Sequence, residues 1–331
     1  MQARKLGWTN LAVSPLGLGC WAIGGPTQYQ DNHFGWGEID EGEAIRAIQV
    51  ALDAGITFFD TADIYGTGHS ERILGQALAG RREDVLIATK FGCVFEEYSR
   101  SMAGEDASPA YIQRACEASL RRLNTDYIDL YQFHLGDYDP AQAGPVCDVL
   151  DRLVAGGKIR YYAWSTDSAK RASVFAKRAH CPAVQVYLNL FVDNPEMLAL
   201  CDEYNLAAIA RGPLGKGLLT GKFDEATRFP ATDLRYHRRW NFQEGPRARQ
   251  LKLLEQLRDI LTSDGRTLAQ AALGALWARS ERIIPIPGFK TVEQVKENVG
   301  AMRYGPLGAA QMQAIADLVA SSLSEDETQP F

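Results

Sequence analysis

Four side chains able to move protons stand at the ends of apolar runs. Asp60 closes Thr57-Phe-Phe-Asp, and Tyr65 follows five residues later beside Gly66. Lys90 closes Val85-Leu-Ile-Ala-Thr-Lys, and His134 closes Tyr127-Ile-Asp-Leu-Tyr-Gln-Phe-His. A tyrosine phenol titrates at about 10, too weak an acid for easy donation at neutral pH. A nearby ammonium favours the phenolate and lowers that value. A carboxylate pairs the ammonium and keeps its desolvation tolerable. An imidazole orients a carbonyl oxygen or shuttles its proton. Together these groups suit protonation of an oxygen while hydride reaches its carbon. Each has a blander reading alone: Asp60 as a turn cap, Tyr65 as a packed loop aromatic, Lys90 as an exposed strand end, His134 as a satisfied rim histidine. Their recurrence at the ends of consecutive runs favours the joint role.

That role requires strands that deliver their ends to one rim. Short β-branched or aromatic runs bounded by turn residues read as buried strands. They are expected near residues 16–21, 57–59, 85–89, 127–132, 159–165, 184–187, 207–210 and 283–286. Helical patterns fall between them, at 44–54, 70–78, 108–123, 143–155, 168–178, 195–204, 268–278 and 291–301. Asp40 with Glu43, and Thr291 with Gln294, read as capping boxes, and Ser108-Pro109 as an N-cap followed by proline. Strict alternation in units of about 30 residues implies parallel pairing through right-handed crossovers. Eight such units close as a (β/α)8 TIM barrel, in which strand-end residues share one face. A doubly wound open sheet is the alternative, but nothing marks a reversal of strand order. Residues 5–15 read as an N-terminal β-hairpin, 91–107 as a polar loop and 222–246 as a long loop. Two extra helices are expected near 247–262 and 309–320, and residues 324–331 as a frayed tail. No linker or second domain is visible, so residues 1–331 are expected to form one domain.

Composition narrows the function. The chain has 331 residues, 46% of them hydrophobic, and a net charge of −6, which disfavours nucleic acid as a partner. No apolar run approaches membrane-spanning length, and the first residues lack a signal-peptide core. Six scattered cysteines without a C-x-x-C pair fit reduced thiols in the cytoplasm. The five histidines show no metal-ligand spacing. A metal-dependent barrel enzyme is disfavoured further, because Lys90 between Asp60 and His134 would repel a cation. Gly17-Leu-Gly-Cys-Trp-Ala22 matches the dinucleotide fingerprint G-x-G-x-x-A, but Gly24-Gly-Pro26 follows where the motif needs a helix.

At these residues the sequence resembles the aldo-keto reductase superfamily over nearly its whole length. The matching motifs run in family order: Leu16 to Gly19, Phe59 to Gly66, Ser70-Glu71, Ala88 to Lys90, Asp129 to His134, Gly157 to Arg160, Gly215 to Lys222, and Ile286 to Thr291. The pattern is similar to the bacterial branch near family 11, which includes general-stress and inositol-operon-type reductases. The resemblance implies a catalytic tetrad of Asp60, Tyr65, Lys90 and His134, with Tyr65 as general acid, and NADP(H) across the barrel mouth; NAD(H) stays admissible. By the same resemblance Gly19, Cys20 and Trp21 border the nicotinamide ribose, with Asp60 beneath. Ser165, Thr166 and Gln185 take the carboxamide side. Arg211, Gly212, Pro213, Leu214, Gly215, Lys216, Gly217 and Leu218 follow the ring and pyrophosphate. Pro287, Gly288, Lys290, Thr291, Gln294, Glu297 and Asn298 hold the adenosine end. A helix beginning at Thr291 would offer free amides to a phosphate.

Three positions depart from the family pattern. Thr166-Asp167 replaces the common asparagine after the carboxamide serine. Arg211 stands where an aromatic ring commonly stacks on the nicotinamide. Gln294 stands where many members carry an arginine for the 2′-phosphate, leaving Lys290 and Thr291 to hold it. The 91–107 loop, with Phe95, Tyr98 and Arg100, and the cation- and ring-rich 223–249 segment, with Arg228, Arg235, Tyr236, His237, Arg238, Arg239, Trp240 and Phe242, would choose the substrate. Solvation is the ordinary role of such charges. A lid for polar or anionic carbonyl compounds is the sharper one, with Trp21 and Trp240 as apolar walls beside Tyr65 and His134. The expected partner is a small carbonyl or polyol, with no nucleic acid and no membrane; self-association into a homo-oligomer stays open. The alternative to an enzyme is a nucleotide-sensing barrel subunit with slow chemistry.

Overall fold

A computed structural model describes residues 1–29, 32–238 and 240–323. Eight strands lie side by side in chain order, each parallel to its neighbour: β1 (Leu18–Gly19), β2 (Phe58–Asp60), β3 (Leu86–Phe91), β4 (Ile128–Phe133), β5 (Ile159–Ser165), β6 (Ala183–Tyr187), β7 (Ala207–Arg211) and β8 (Ile283–Pro285). The sheet closes where Gly19 bridges Gly288 and where the Gly17 and Gly19 amides donate to Pro285 and Pro287 at 2.9 and 3.0 Å. Glycine is required at this seam, since a Cβ on Gly19 would meet the Ile286 carbonyl oxygen at 2.9 Å. The order shows no reversal, so the chain forms the (β/α)8 barrel and not the open sheet.

Local signals explain the surrounding helices. Asp40 accepts from the Glu43 amide at 2.9 Å and starts α1 (Glu41–Asp53). After α2 (His69–Ala77), Ser108 caps α3 (Pro109–Leu123), and left-handed Asn124 ends it. There follow α4 (Gly144–Ala155), α5 (Ala169–Ala176), α6 (Pro195–Tyr204), the short α7 (Leu234–His237), α8 (Gly245–Thr262), α9 (Leu268–Arg279), α10 (Val292–Tyr304) and α11 (Ala309–Ser322). Thr267 and Gln270 form a complete capping box on α9, a device worth roughly 1 kcal/mol. The two boxes expected on α1 and α10 are half boxes. Glu43 turns its carboxylate to the Val292 amide and to Arg46, and the Gln294 side chain accepts from the Lys290 amide. The Glu43–Val292 bond ties α1 to the start of α10.

Small interior residues leave the barrel floor room for a plug. Ala88, Ala163, Ala183 and Ala207 pack with Phe58, Leu130 and Ile284, and Leu6 and Val13 from the hairpin Arg4–Lys5/Ala12–Val13 fill the remaining space. The second aromatic-rich layer lies between the strands and α1–α4. One expectation is corrected. Residues 91–107 are not a plain loop: Cys93–Glu96 pairs antiparallel with Ser101–Glu105, and Gln28 of a second hairpin, Gln28–Tyr29/Asn32–His33, pairs with Ser101. The alternation there is short and interrupted by charges, which hid it. The 222–246 segment likewise contains α7. Arg239 and the 324–331 tail lie outside the described residues. No described helix is long and apolar enough to cross a membrane.

Candidate active site

The ends of β2, β3 and β4 converge on one buried ion pair. Asp60 is the last residue of β2, and its Oδ1 accepts from Lys90 Nζ at 2.5 Å. Lys90 also donates to the Thr61 carbonyl at 2.8 Å and to the Tyr65 hydroxyl at 3.2 Å, with its ammonium 4.7 Å from that ring's centroid. Both Lys90 and Asp60 are almost wholly buried. The other Asp60 oxygen accepts from Gln132 Nε2 at 2.8 Å and Gln185 Nε2 at 2.7 Å. Both oxygens of this carboxylate therefore have partners, which is the condition for a tolerable buried charge. Asp63 shows the contrast. Its Oδ1 accepts from the Ile64 amide, but its Oδ2 is buried without a hydrogen-bond partner. Burial and then Glu71 raise its pKa far above the carboxylate range, which disfavours its charge.

The protonation states follow. Burial works against the Lys90 charge, but Asp60 and Tyr65 together outweigh it and the ammonium persists. Burial pushes the Tyr65 phenol up, and Lys90 offsets this only in part. The lowering expected from the lysine is real but smaller than the desolvation of an aromatic wedged under Trp21, whose ring stacks on Tyr65 at 5.6 Å. Burial, then Lys90 and Arg211, hold His134 well below its ordinary value. The imidazole is neutral at physiological pH. Its Nδ1 is buried without a hydrogen-bond partner, so the tautomer with the proton on Nε2 strands no N–H and is assigned on that ground.

These groups open into a cavity of about 770 Å³ that runs from Tyr65 and His134 to Gln294 and Asn298 on α10. Gly19, Trp21, Asp60, Ser165, Gln185, Arg211, Gly212, Pro213, Leu214, Lys216, Gly217, Gly288, Lys290, Gln294, Glu297 and Asn298 all stand in its wall. Six other expected positions do not. Cys20 points into the core, and Thr166 turns its hydroxyl to the Gly136 carbonyl at 2.7 Å. Gly215, Leu218 and Pro287 are buried and Thr291 is half-buried, and none of the four lines the cavity. Trp240 is also elsewhere: its ring packs against Phe229 and Phe242 with Arg247 4.7 Å above it. The aromatic wall beside Trp21 is instead Phe34 and Trp36, each 5.1 Å from it. Of the 91–107 segment only Cys93 reaches the cavity, and of the 223–249 segment Arg235 and Arg238 do.

The cavity fits a dinucleotide phosphate by the chemistry of its donors. Lys216, Lys222, Arg235 and Lys290 line it against the carboxylates Asp60 and Glu297. Gly212, Gly215, Lys216 and Gly217 all have positive φ, the curl that lets backbone amides approach an anion. A Cβ on Gly212 would strike the Tyr187 ring at 2.3 Å. The start of α10 is less free than expected. Glu43 occupies the Val292 amide, Thr291 caps Gln294, and Lys290 Nζ donates to the Trp36 and Glu38 carbonyls. Lys290 thereby ties the 34–39 loop over the cavity, and the Trp36–Asp233 bridge continues the tie across to α7. Sequence reading missed Gln132, Tyr187, Phe34 and Trp36. Only Gln132 left a signal, as a polar residue two positions before His134 inside an apolar strand. Among the described residues no group of side chains could hold a metal ion.

Fold and site define a (β/α)8 barrel that carries a tyrosine–lysine–aspartate–histidine set on its rim. The chain belongs to the aldo/keto reductase family, whose model matches residues 15–320. The glycerol dehydrogenase AKR11B4 from Gluconobacter oxydans is similar with a TM-score of 0.82 and 31% identity, over 100% of this chain and 97% of that one. An aldo-keto reductase from Klebsiella pneumoniae in complex with NADPH is similar with a TM-score of 0.71 and 25% identity, over 100% and 99%. The aldo-keto reductase yakc [NADP(+)] of Schizosaccharomyces pombe is 33% identical over 91% of this chain and 86% of its own.

Proposed function

We propose that this protein is an NADP(H)-dependent oxidoreductase that reduces aldehydes or ketones to alcohols, with the reverse oxidation of an alcohol or polyol open to the same groups. The observation that carries this reading is the Tyr65 hydroxyl 3.2 Å from Lys90 Nζ, with Lys90 fixed by Asp60, at one end of a cation-lined cavity. The similarity to yakc [NADP(+)] and to the Klebsiella pneumoniae reductase in complex with NADPH supports the cofactor. Bound NADPH supplies the hydride. Lys216, Lys222, Arg235 and Lys290 would hold its phosphates, and Ser165 and Gln185 its amide end.

Tyr65 and His134 hold the substrate oxygen. A raised pKa keeps Tyr65 protonated, the form a general acid requires. As charge develops on the oxygen, Tyr65 transfers its proton and Lys90 stabilises the phenolate left behind. Neutral His134 donates from Nε2 without competing as an acid. Trp21, Phe34 and Trp36 exclude water from the same end.

Purified protein should oxidise NADPH steadily with members of an aldehyde panel such as nitrobenzaldehyde and methylglyoxal. Tyr65→Phe should lose turnover by about 10³-fold or more while still binding NADPH. Unchanged turnover in Tyr65→Phe would remove Tyr65 from the mechanism. Tight NADPH binding without turnover across the panel would point to a sensor.

A further inference from the structure

The end of the cavity nearest Tyr65 has an unequal charge arrangement. Lys90 and Asp60 form a closed pair at 2.5 Å, both buried and both inward. The second pair, Arg211 with Asp167, is also closed, Arg211 Nη2 donating to Asp167 Oδ2, but its two members stand on different sides of the wall. Arg211 lines the cavity and Asp167 does not. The carboxylate is held back by the Tyr187 amide, which donates to Asp167 Oδ1 at 2.7 Å. The guanidinium is held forward on the Tyr187 ring, 5.3 Å from its centroid, where Tyr187 and Arg211 sit directly opposite one another on β6 and β7.

We propose that Arg211, with its counter-ion Asp167 turned out of the cavity, sets the redox poise of the bound nicotinamide by favouring its reduced, uncharged ring over the oxidised, cationic one. The inference rests on the cofactor reading above. Hydride transfer needs the donor carbon within near-attack distance of a carbonyl held by Tyr65, so the ring must occupy this end of the cavity. A ligand state is favoured only by differential interaction, and the ring's charge is what differs between the two forms. The field of Arg211 is felt at this point independently of the ring. It lowers the pKa of both Tyr65 and His134, after the larger effects of burial and Lys90. Arg211 thus adds to burial and Lys90 in keeping His134 neutral, slightly offsets the upward push on Tyr65, and opposes a positive ring between them.

Both partners are about one-third exposed or less, so solvent moderates the effect. A unit charge about 4 Å away, screened as in bulk water, is worth a factor of about five. Dissociation constants for NADP⁺ and NADPH, measured by fluorescence titration of the full chain, give the test. The ratio of the NADP⁺ to the NADPH constant should fall about fivefold in Arg211→Gln and hold in Arg211→Lys. It should rise in Asp167→Asn, which keeps the cation and removes its compensation. For this two-electron couple a fivefold change is a shift of about 20 mV in the bound potential. Equal loss of affinity for both forms in Arg211→Gln, or a ratio in Asp167→Asn that stays or falls, would overturn the proposal. Failure of the wild type to bind either nucleotide would instead overturn the cofactor reading on which it rests.

Discussion

The two sides of the barrel rim solve the problem of placing a charge in different ways. On the β2–β4 side, the groups come from strand ends, lie deep, and are satisfied by one another: Asp60 accepts from Lys90, Gln132 and Gln185, and Lys90 reaches Tyr65. On the β7–β8 side, most cations come from loops and helix starts, and they are partly exposed and held by backbone, by stacking or by a single carboxylate. Arg235 lies 4.2 Å over Phe229 and 5.1 Å over Trp36 and pairs with Asp233 at 2.6 Å, and Lys290 donates to two carbonyls of the facing loop. Deep mutual satisfaction suits a group whose protonation must be fixed. Shallow, individually anchored charges suit a long ligand that must enter and leave. The first arrangement should fail all at once when one member is lost, and the second by increments.

Lys90→Met is the largest break of the first kind. Asp60 would keep two amide donors but lose its counter-charge in a buried site, which costs about 3–5 kcal/mol. Urea unfolding should show that loss, and turnover with an aldehyde and NADPH should fall by about 10³-fold. A variant of full stability would show that the pair is not a single unit.

His134 sharpens the same side by pH. Its folded pKa is depressed, by burial first and then by Lys90 and Arg211. Below the unfolded value of about 6.5 the unfolded chain takes up a proton that the folded chain refuses. The stability is therefore complete above that pH and is lost as pH falls, by at most about 1.4 kcal/mol per pH unit. Comparing unfolding midpoints at high and low pH, the wild type should lose more than His134→Gln. Parallel losses would place a charged imidazole in the folded site.

The same division governs what the sequence discloses. Asp60, Lys90 and His134 could be placed because each ends an apolar run, and strand ends in a barrel share a face whatever the loops do. Gln132 was missed, although its polarity within such a run is a signal that could have found it. Trp240 was not legible, because a loop ring faces whatever its own segment builds, here the cluster with Phe229 and Phe242. Nor could the role of Glu43 be read: its spacing from Asp40 describes a local cap, and its actual partner is Val292, 249 positions away. Gln294 behaves alike, one residue off its expected partner.

Gln294→Arg tests the incremental side. The position lines the cavity at the start of α10, and its carboxamide accepts from the Lys290 amide at 2.7 Å. An arginine there would lose that turn and add a donor fork suited to phosphate. The preference for NADPH over NADH, measured as the ratio of kcat/KM values, should rise by about tenfold, the worth of one well-placed charged hydrogen bond. A ratio that stays constant would put the 2′-phosphate elsewhere on the wall.

Trp240→Leu should have the smallest effect, and it asks whether the long segment is a wall or a support. The ring is partly buried, touching Phe229, Phe242 and Arg247 but not the cavity. Removing it costs packing of roughly 1 kcal/mol, seen as a drop of a few degrees in Tm. KM for any accepted aldehyde should change by less than about twofold, since the substrate end is walled by Trp21, Phe34 and Trp36. A KM change of about tenfold with unchanged Tm would show instead that the segment folds inward around the substrate and carries Trp240 with it.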